Sequence, residues 1–269
     1  MAIRSALINI MAAAANKAGR ALIHDFGEVE QLQVSRKGPG DYVSTADTNA
    51  EQIVRRELQK ARSTYGMLME EAGVITGTDS SNRWIVDPLD GTFNFLHGLP
   101  HFAVSIALER DGAAMCGVVY DPVKDELFWA ERGQGAFLND RRLRVSGRSK
   151  LTDAAIATGL PLQDGSDSPE IRSEYKLRFQ RVSEKTAGIR VWGSAALDLA
   201  FVAAGRYDGF WENGLQPWDI AAGVILVREA GGLVTDMQGR DLRLEAGSIL
   251  TANRNLHQPL GDTLREARK

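Results

Sequence analysis

Three strand-like stretches, joined by short turns, constrain the fold of this chain more than any other feature. They cover residues 102–108, 114–120 and 126–131, and the turn-forming pairs Asp111-Gly112 and Asp121-Pro122 connect them. Short turns of this kind join antiparallel neighbours, whereas parallel strands need a crossover of a dozen or more residues. The spacing therefore predicts an antiparallel meander and argues against a simple βαβ series.

Helical periodicity surrounds this meander. An amphipathic helix is predicted from about residue 3 to 26, a Gly- and Pro-rich loop at 34–41, and a second helix that is capped by Asp47 or Thr48. Buried strands are predicted at 65–70 and 83–87. Beyond residue 148, short apolar runs alternate with helical patterns at 170–186, 194–204, 217–230 and 255–267. We predict two lobes, residues 1–147 and 148–269, with helices layered against sheets in an α+β or α/β fold.

Composition excludes several classes of protein. The 269 residues include 43% hydrophobic types, enough for a sizeable core, and one cysteine, Cys116, which rules out an internal disulfide framework. A net charge of −3 provides no basic field for nucleic acid. No stretch is long and apolar enough for a membrane span. We expect a cytoplasmic protein.

The stretch Trp84-Ile-Val-Asp87-Pro88-Leu89-Asp90-Gly91-Thr92 carries the most chemical information. A strand rich in β-branched residues ends at Asp87, and Asp90-Gly91-Thr92 has the composition of a helix start. Two carboxylates three residues apart across such a turn, with the Leu89 carbonyl between them, can converge on one point. Oxygen-only donors of this kind suit Mg²⁺.

The backbone N–H groups of Gly91 and Thr92 are expected to face the same point, where a helix N-terminus attracts phosphate. Glu70, at the end of a buried strand, and Asp219, in the first turn of an apolar helix, are candidates to complete the site. The alternative for each residue alone is structural: a turn, a helix cap or a solvated strand edge. Together they favour phosphoryl transfer or hydrolysis.

Several long motifs then resemble one family. They are Glu70-Glu71, the stretch from Trp84 to Phe95, Gly193-Ser-Ala-Ala, Trp218-Asp-Ile-Ala-Ala-Gly, and Glu229-Ala-Gly-Gly232. They closely resemble the inositol monophosphatase family, especially its bacterial extragenic-suppressor-type members, in order from about residue 5 to 265. The resemblance implies a layered αβαβα sandwich and a lithium-sensitive, magnesium-dependent phosphatase with two or three Mg²⁺ per site.

The resemblance also implies residue roles. The metal ligands would be Glu70, Asp87, the Leu89 carbonyl, Asp90 and Asp219. The catalytic group would be Glu70, Asp47 and Thr92, the last two polarising the attacking water. Substrate contacts would come from Asp90, Gly91, Thr92, Ser194, Ala195, Glu212 and Asp219. Lys37 resembles a residue of the family's mobile loop, which closes over the site.

Two departures from the family pattern concern the substrate more than the chemistry. Phe93 follows Thr92 where the family usually has a second Thr, and Met69 replaces a small or hydroxyl residue before the Glu pair. Neither removes an expected ligand. The implied activity is hydrolysis of myo-inositol 1-phosphate to inositol and phosphate by direct attack of a metal-activated water.

Three alternatives remain open. Phosphatases that form an aspartyl-phosphate use the motif Asp-x-Asp-Gly-Thr, with one residue between the two carboxylates. In this chain two residues separate Asp87 from Asp90. The same fold could act on fructose-1,6-bisphosphate, a 3′-phosphonucleotide, histidinol phosphate or NADP. Bacterial members are also associated with the transcription and RNA machinery, so a binding role could accompany catalysis.

The family commonly forms homodimers, and we expect one here. Phe95-Leu96 and Leu99-Pro100 are candidate apolar interface stretches.

Overall fold

Two long helices stand at the beginning of the described chain. The structure, a computed structural model, describes residues 3–28, 34–38, 41–160 and 169–266, with the backbone alone at 34–38 and 41–43. Helix α1 is Ala6–Phe26 and α2 is Thr45–Ala61. The N-cap of α2 is Ser44, so the prediction that Asp47 or Thr48 caps this helix was wrong by three or four residues. Asp47 is the third residue of the helix and forms a capping box with Ser44.

The segment between these helices differs from the predicted loop. Val34–Gly38 and Asp41–Ser44 form an antiparallel pair of strands, β1 and β2. Lys37 lies in β1, but its side chain is outside the described part of the chain.

A mixed sheet of eight strands follows within residues 41–160. Its strands are β3 Tyr65–Met69, β4 Gly73–Ile75, β5 Asp79–Asp90, β6 Ala103–Arg110, β7 Ala113–Asp121, β8 Glu126–Glu131, β9 Gly135–Leu138 and β10 Arg141–Arg142. Their order is β10-β9-β8-β7-β6-β5-β3-β4, and a short helix, α3 (Thr92–Leu96), follows β5. Strands β5 to β10 run antiparallel as a continuous series, which confirms the meander, while β3 pairs with β5 in parallel.

A second mixed sheet lies in the C-terminal part. Among the described residues it has five strands in the order β12-β11-β13-β15-β14. These are β11 Ala155–Thr158, β12 Gly188–Arg190, β13 Gly209–Asn213, β14 Leu233–Thr235 and β15 Ser248–Ala252. The helices are α4 Pro169–Lys185, α5 Ala195–Ala203, α6 Pro217–Glu229 and α7 His257–Glu266.

The elements stack in five layers. Helices α1 and α2 cover one face of the eight-stranded sheet, α5 and α6 lie between the two sheets, and α4 and α7 cover the outer face of the second sheet. The backbones of α6 and β7 touch directly: a Cβ on Gly117 would lie 2.8 Å from the Cα of Ala222. The αβαβα sandwich is therefore confirmed, and helix α6 is held close to the sheet whose strand β5 carries the Asp87–Asp90 motif.

Cys116 is buried on β7. None of the described helices combines the length and the apolar composition needed to span a bilayer. The lobe boundary at residues 147/148 stays a prediction.

Candidate metal and phosphate site

The end of β5 positions the first two carboxylates. Asp87 is 2% exposed and accepts a 2.9 Å hydrogen bond from the N–H of Leu89, which stabilises the turn. Gly91 follows with φ +95°, a backbone conformation that favours glycine. A Cβ at Gly91 would lie 3.0 Å from the carbonyl oxygen of His101. Both sterics and backbone conformation therefore require glycine at this turn.

Helix α6 contributes the third carboxylate. Asp219 lies in its first turn and accepts a 2.7 Å hydrogen bond from the N–H of Gln216. One carboxylate oxygen from each of Asp87, Asp90 and Asp219 lies within 4.8 Å of the others. Two carboxylates that are three residues apart at the end of β5 and a third from helix α6 thus form a cluster with the spacing of a cation site.

Asp90 is tied to the start of helix α5. Its Oδ2 accepts a hydrogen bond from the Ser194 hydroxyl and another, of 2.9 Å, from the N–H of Ala196. Ser194 is the N-cap of α5. The predicted substrate-contacting segment at Ser194 and Ala195 therefore lies directly beside a carboxylate of the cluster, and Ser194 itself orients Asp90.

Burial and mutual repulsion change the acidity of the cluster. Burial raises the pKa of Asp90 to about 6, although the Ser194 and Ala196 donors act in the opposite direction. Burial, followed by the charge of Asp90, raises the pKa of Asp219 to about 7. Burial and the charges of Glu70, Asp90 and Asp219 raise the pKa of Asp87. Like charges held together away from water favour protonation or a cation.

Asp47 and Thr92 form the second part of the site. The Thr92 hydroxyl lies 2.9 Å from Oδ1 of Asp47 and 3.0 Å from the Leu89 carbonyl oxygen. The other Asp47 oxygen, Oδ2, accepts hydrogen bonds from the N–H of Ser44 at 2.8 Å and from its hydroxyl at 2.6 Å. Asp47 is fully buried, and that burial raises its pKa. Its carboxyl group is therefore a fixed acceptor for the Thr92 proton.

Glu70 stands at the end of β3, beside β5. Its N–H donates to the carbonyl oxygen of Val86 at 3.2 Å, and its side chain shares a hydrogen bond with Asp87. The predicted ligands Glu70 and Asp87 are therefore brought together. The next residue, Glu71, donates its N–H to Glu51 Oε2 at 2.8 Å.

Glu212 lies on β13, close enough to the cluster to be affected by the charges of Asp219 and Asp90. Its pKa is raised by burial and by the charges of Asp219 and Asp90. The N–H of Gly159 donates to its carboxylate, and a Cβ on Gly159 would lie 1.9 Å from Oε1 of Glu212. A glycine is therefore necessary for Glu212 to lie where it does.

Phe93 stands where the family usually has Thr. Its ring is 52% exposed and stacks on His97, with centroids 4.0 Å apart. Met69 is fully buried in the core beneath α1 and α2. Both departures from the family pattern are thus accommodated by packing.

Sequence reasoning missed four residues that build the site: Ser44, Glu51, Asn94 and Gly159. Asn94 is buried and its amide donates to the carbonyl oxygens of His101 at 2.8 Å and Trp192 at 2.6 Å, joining α3 to the segment before α5. Glu51 alone carried a usable signal, because it lies four residues after Asp47 and hence on the same face of α2.

Comparison with known proteins agrees with this geometry. A family model described as the inositol monophosphatase family matches residues 4–269. The chain belongs to the inositol monophosphatase family.

Individual members of the inositol monophosphatase family are similar over almost their whole length. An inositol-1-monophosphatase from Mesorhizobium japonicum is 58% identical over 258 residues, which are 96% of this chain and 95% of that protein. A protein named Nus factor SuhB from Pseudomonas aeruginosa is 46% identical over 96% of this chain and 95% of its own length. The crystal structure of extragenic suppressor protein SuhB from Bartonella henselae superimposes with a TM-score of 0.93 at 55% identity, covering 97% of this chain and 99% of that chain.

Proposed function

We propose that this protein hydrolyses inositol monophosphate, in particular myo-inositol 1-phosphate, to inositol and phosphate. The observation that carries the proposal is the convergence of Asp87, Asp90 and Asp219 within 4.8 Å at the start of helix α3. The family is metal-dependent, and a relative that is 58% identical is named inositol-1-monophosphatase. The reaction class is therefore hydrolysis of a phosphoric monoester.

The donor set fits Mg²⁺. Buried carboxylates that repel one another are unfavourable unless a proton or a cation neutralises them, and an all-oxygen donor set suits a hard cation. The ligands we propose are Glu70, Asp87, the Leu89 carbonyl, Asp90 and Asp219, for two or three ions per site. When bound, Mg²⁺ supplies charge neutralisation, a more acidic water and stabilisation of the leaving oxygen.

Asp47 and Thr92 would orient the attacking water. Because the Thr92 hydroxyl donates its single proton to Asp47, its oxygen lone pairs are free to accept a hydrogen bond from water. The raised pKa of Asp47, caused by burial, makes its carboxylate a better proton acceptor. Attack in line with the leaving alkoxide, without a covalent phosphoenzyme, is the expected course.

The start of α3 would bind the phosphate. The backbone N–H groups of Gly91 and Thr92 lie at the first turn, where helical residues lack an acceptor within the helix. Ser194, Ala195 and Glu212 would contact the hydroxyl groups of the inositol. Lys37 would lie in the segment that closes over the site.

A panel of phosphate esters tests the substrate. Phosphate release is measured with Mg²⁺ from inositol 1-phosphate, fructose-1,6-bisphosphate, a 3′-phosphonucleotide, histidinol phosphate and NADP, with and without lithium. We expect inositol 1-phosphate to be preferred and its turnover to be inhibited by lithium. Preference for another ester would show that this protein is a phosphatase of the same fold with a different substrate. Covalent labelling of the protein with phosphate from the substrate would instead indicate an enzyme that forms an aspartyl-phosphate.

A second role in transcription is supported by the relative named Nus factor SuhB, at 46% identity. We propose that this protein also binds a component of the transcription machinery in the cytoplasm. Equal capture of RNA polymerase factors by the wild-type protein and by Asp87→Asn would support a role separate from catalysis. If neither protein captures such a factor, the proposed role in transcription is contradicted.

A homodimer is also proposed. Four exposed apolar residues, Phe93, Leu99, Val191 and Trp192, support it, and Asn94 links the segments that carry them. Phe95, in contrast, is fully buried, so its assignment to an exposed interface was wrong. Light scattering of the purified protein measures its oligomeric state. We expect twice the chain mass of 29.4 kDa, and a monomer at micromolar concentration would contradict the proposed dimer.

A further inference from the structure

Helix α2 presents two buried carboxylates to the site. Asp47 is 0% exposed and Glu51 is 6% exposed, and residues four apart lie on the same face of a helix. Each accepts a hydrogen bond from outside the helix. Asp47 accepts from the Thr92 hydroxyl, and Glu51 accepts from the N–H of Glu71. One helix face thus contacts both sides of the site.

The contact made by Glu51 fixes the chain at Glu70. The N–H of Glu70 donates to Val86 of β5 at 3.2 Å, and the next N–H, that of Glu71, donates to Glu51 Oε2 at 2.8 Å. Strand β3 ends at Met69, so Glu71 lies beyond its last ladder residue. The peptide groups before and after Glu70 are therefore each held by a separate hydrogen bond, and together these hydrogen bonds set the direction of its side chain.

A carboxylate is a strong choice of acceptor at this position. A hydrogen bond from an N–H to an ionised oxygen is shorter and about twice as strong as one between neutral groups. The partners of metal-binding side chains affect metal affinity even when they do not touch the ion. Glu51 is placed for such an indirect effect, because its Oε2 accepts the hydrogen bond from the backbone N–H of Glu71, the residue next to Glu70.

We propose that Glu51 is a positioning residue that sets the orientation of Glu70 through the Glu71 amide, and so sets the affinity of the carboxylate cluster for Mg²⁺. The proposal rests on the proposed function, since it takes Glu70 as a metal ligand. It assigns to Glu51 an effect on metal binding, whereas Asp47, one turn earlier, acts on the attacking water.

Two variants separate the hydrogen bond from the charge. Glu51→Gln removes the charge but keeps an oxygen acceptor. Glu51→Met removes both the charge and the acceptor, while the side chain keeps a similar length. Glu57→Gln, on the same helix, is the control, because Glu57 pairs with Lys17 at the surface. The readout is the Mg²⁺ concentration that gives half-maximal thermal stabilisation, measured without substrate. We expect it to rise about 10-fold in Glu51→Met and to stay within about threefold of wild type in Glu51→Gln.

A measurement on the wild-type protein avoids any dependence on folding of a variant. Hydrogen exchange at the Glu71 amide is followed with and without Mg²⁺. Since coupling between two events is reciprocal, Mg²⁺ is expected to slow this exchange. Exchange that is unchanged by saturating Mg²⁺ would overturn the proposal, and so would equal Mg²⁺ affinity in the Gln and Met variants. Neither readout uses catalysis, so a wild-type protein that binds Mg²⁺ but hydrolyses no ester contradicts the proposed function alone.

Discussion

The hydroxyl of Thr92 donates a 2.9 Å hydrogen bond to Oδ1 of Asp47, a residue 45 positions earlier in the chain. Asp47 belongs to the first turn of α2, and Thr92 begins α3. The capping box that ends in Asp47 therefore does two things: it stabilises the start of a helix and it fixes the acceptor for a hydroxyl beside the carboxylate cluster. Local helix chemistry and the geometry proposed for water activation depend on the same carboxylate.

Replacement of Thr92 by Val removes this hydroxyl with little change in shape. Because the proposed attacking water would lose its oriented acceptor, we expect kcat for inositol 1-phosphate to fall about 10²-fold. The Mg²⁺ concentration for half-maximal activity is expected to stay within about threefold of wild type. Steady-state kinetics at several Mg²⁺ concentrations measure both. Thr92→Ser keeps the hydroxyl and is the control; an equal loss in both variants would contradict the role.

Ser194→Ala removes the hydroxyl that donates to Asp90 and also caps α5. The N–H of Ala196 still holds Oδ2 of Asp90, so the loss is partial. We expect Mg²⁺ affinity to fall about 10-fold and the free energy of unfolding to fall by about 1 kcal/mol. Metal titration and urea denaturation measure the two effects. Ser194→Thr should restore both, and unchanged Mg²⁺ affinity in Ser194→Ala would contradict an orienting role.

The pKa of Asp219 gives a prediction for the metal-free protein. Its folded-state pKa of about 7 is above the usual 3.8, so between these pH values the folded protein holds a proton that the unfolded chain has lost. The free energy of unfolding should therefore decrease as pH rises from about 4 to 7.

Asp219→Asn should remove this pH-dependent loss of stability, because asparagine carries no charge. In EDTA at pH 8 we expect the variant to be more stable than wild type by about 2 kcal/mol, with no gain at pH 4. Thermal denaturation at both pH values measures the difference. Asp140→Asn, which changes an exposed carboxylate, is the control. A variant that is less stable than wild type at pH 8 without metal would show that Asp219 does not repel its neighbours.

Gly159→Ala tests the position of Glu212. The added Cβ would lie 1.9 Å from Oε1 of Glu212, so the carboxylate must move. Since Glu212 is proposed to contact inositol hydroxyls, we expect KM to rise about 10-fold while kcat stays within about threefold. Gly147→Ala is the control, because a Cβ there meets no atom within 4 Å. An unchanged KM would show that Glu212 does not bind the substrate.

The parts of the fold that depend on local turns could be predicted from the sequence. The meander from β6 to β8 follows from turn residues directly between apolar runs. The parallel pairing of β3 with β5 could not, because β4 comes between these two strands in the sequence but pairs with the other edge of β3 in the sheet. The start of α2 was misplaced because Asp47 has the composition of an N-cap, whereas Ser44 occupies that position and Asp47 supports it from inside the helix.

The same distinction applies to the site. Asp87 and Asp90 were identifiable because their spacing lies within one strand-to-helix turn. The hydrogen bond between Ser194 and Asp90 spans 104 residues, and the one between Glu71 and Glu51 spans 20. Such contacts arise from the packing of α5 and α2 against the sheet, and no local pattern encodes them. The proposed ligand set therefore follows from local motifs and family resemblance, while its supporting contacts required the structure.

The most direct test of this account is the Mg²⁺ dependence of inositol 1-phosphate hydrolysis by wild type and Asp90→Asn. Asp90 joins the carboxylate cluster to the start of α5, so its charge is central to the site. We predict that wild-type turnover requires Mg²⁺ and that Asp90→Asn, with a native circular dichroism spectrum, is at least about 10²-fold slower at saturating Mg²⁺. A folded Asp90→Asn protein whose rate lies within about threefold of wild type would contradict the account.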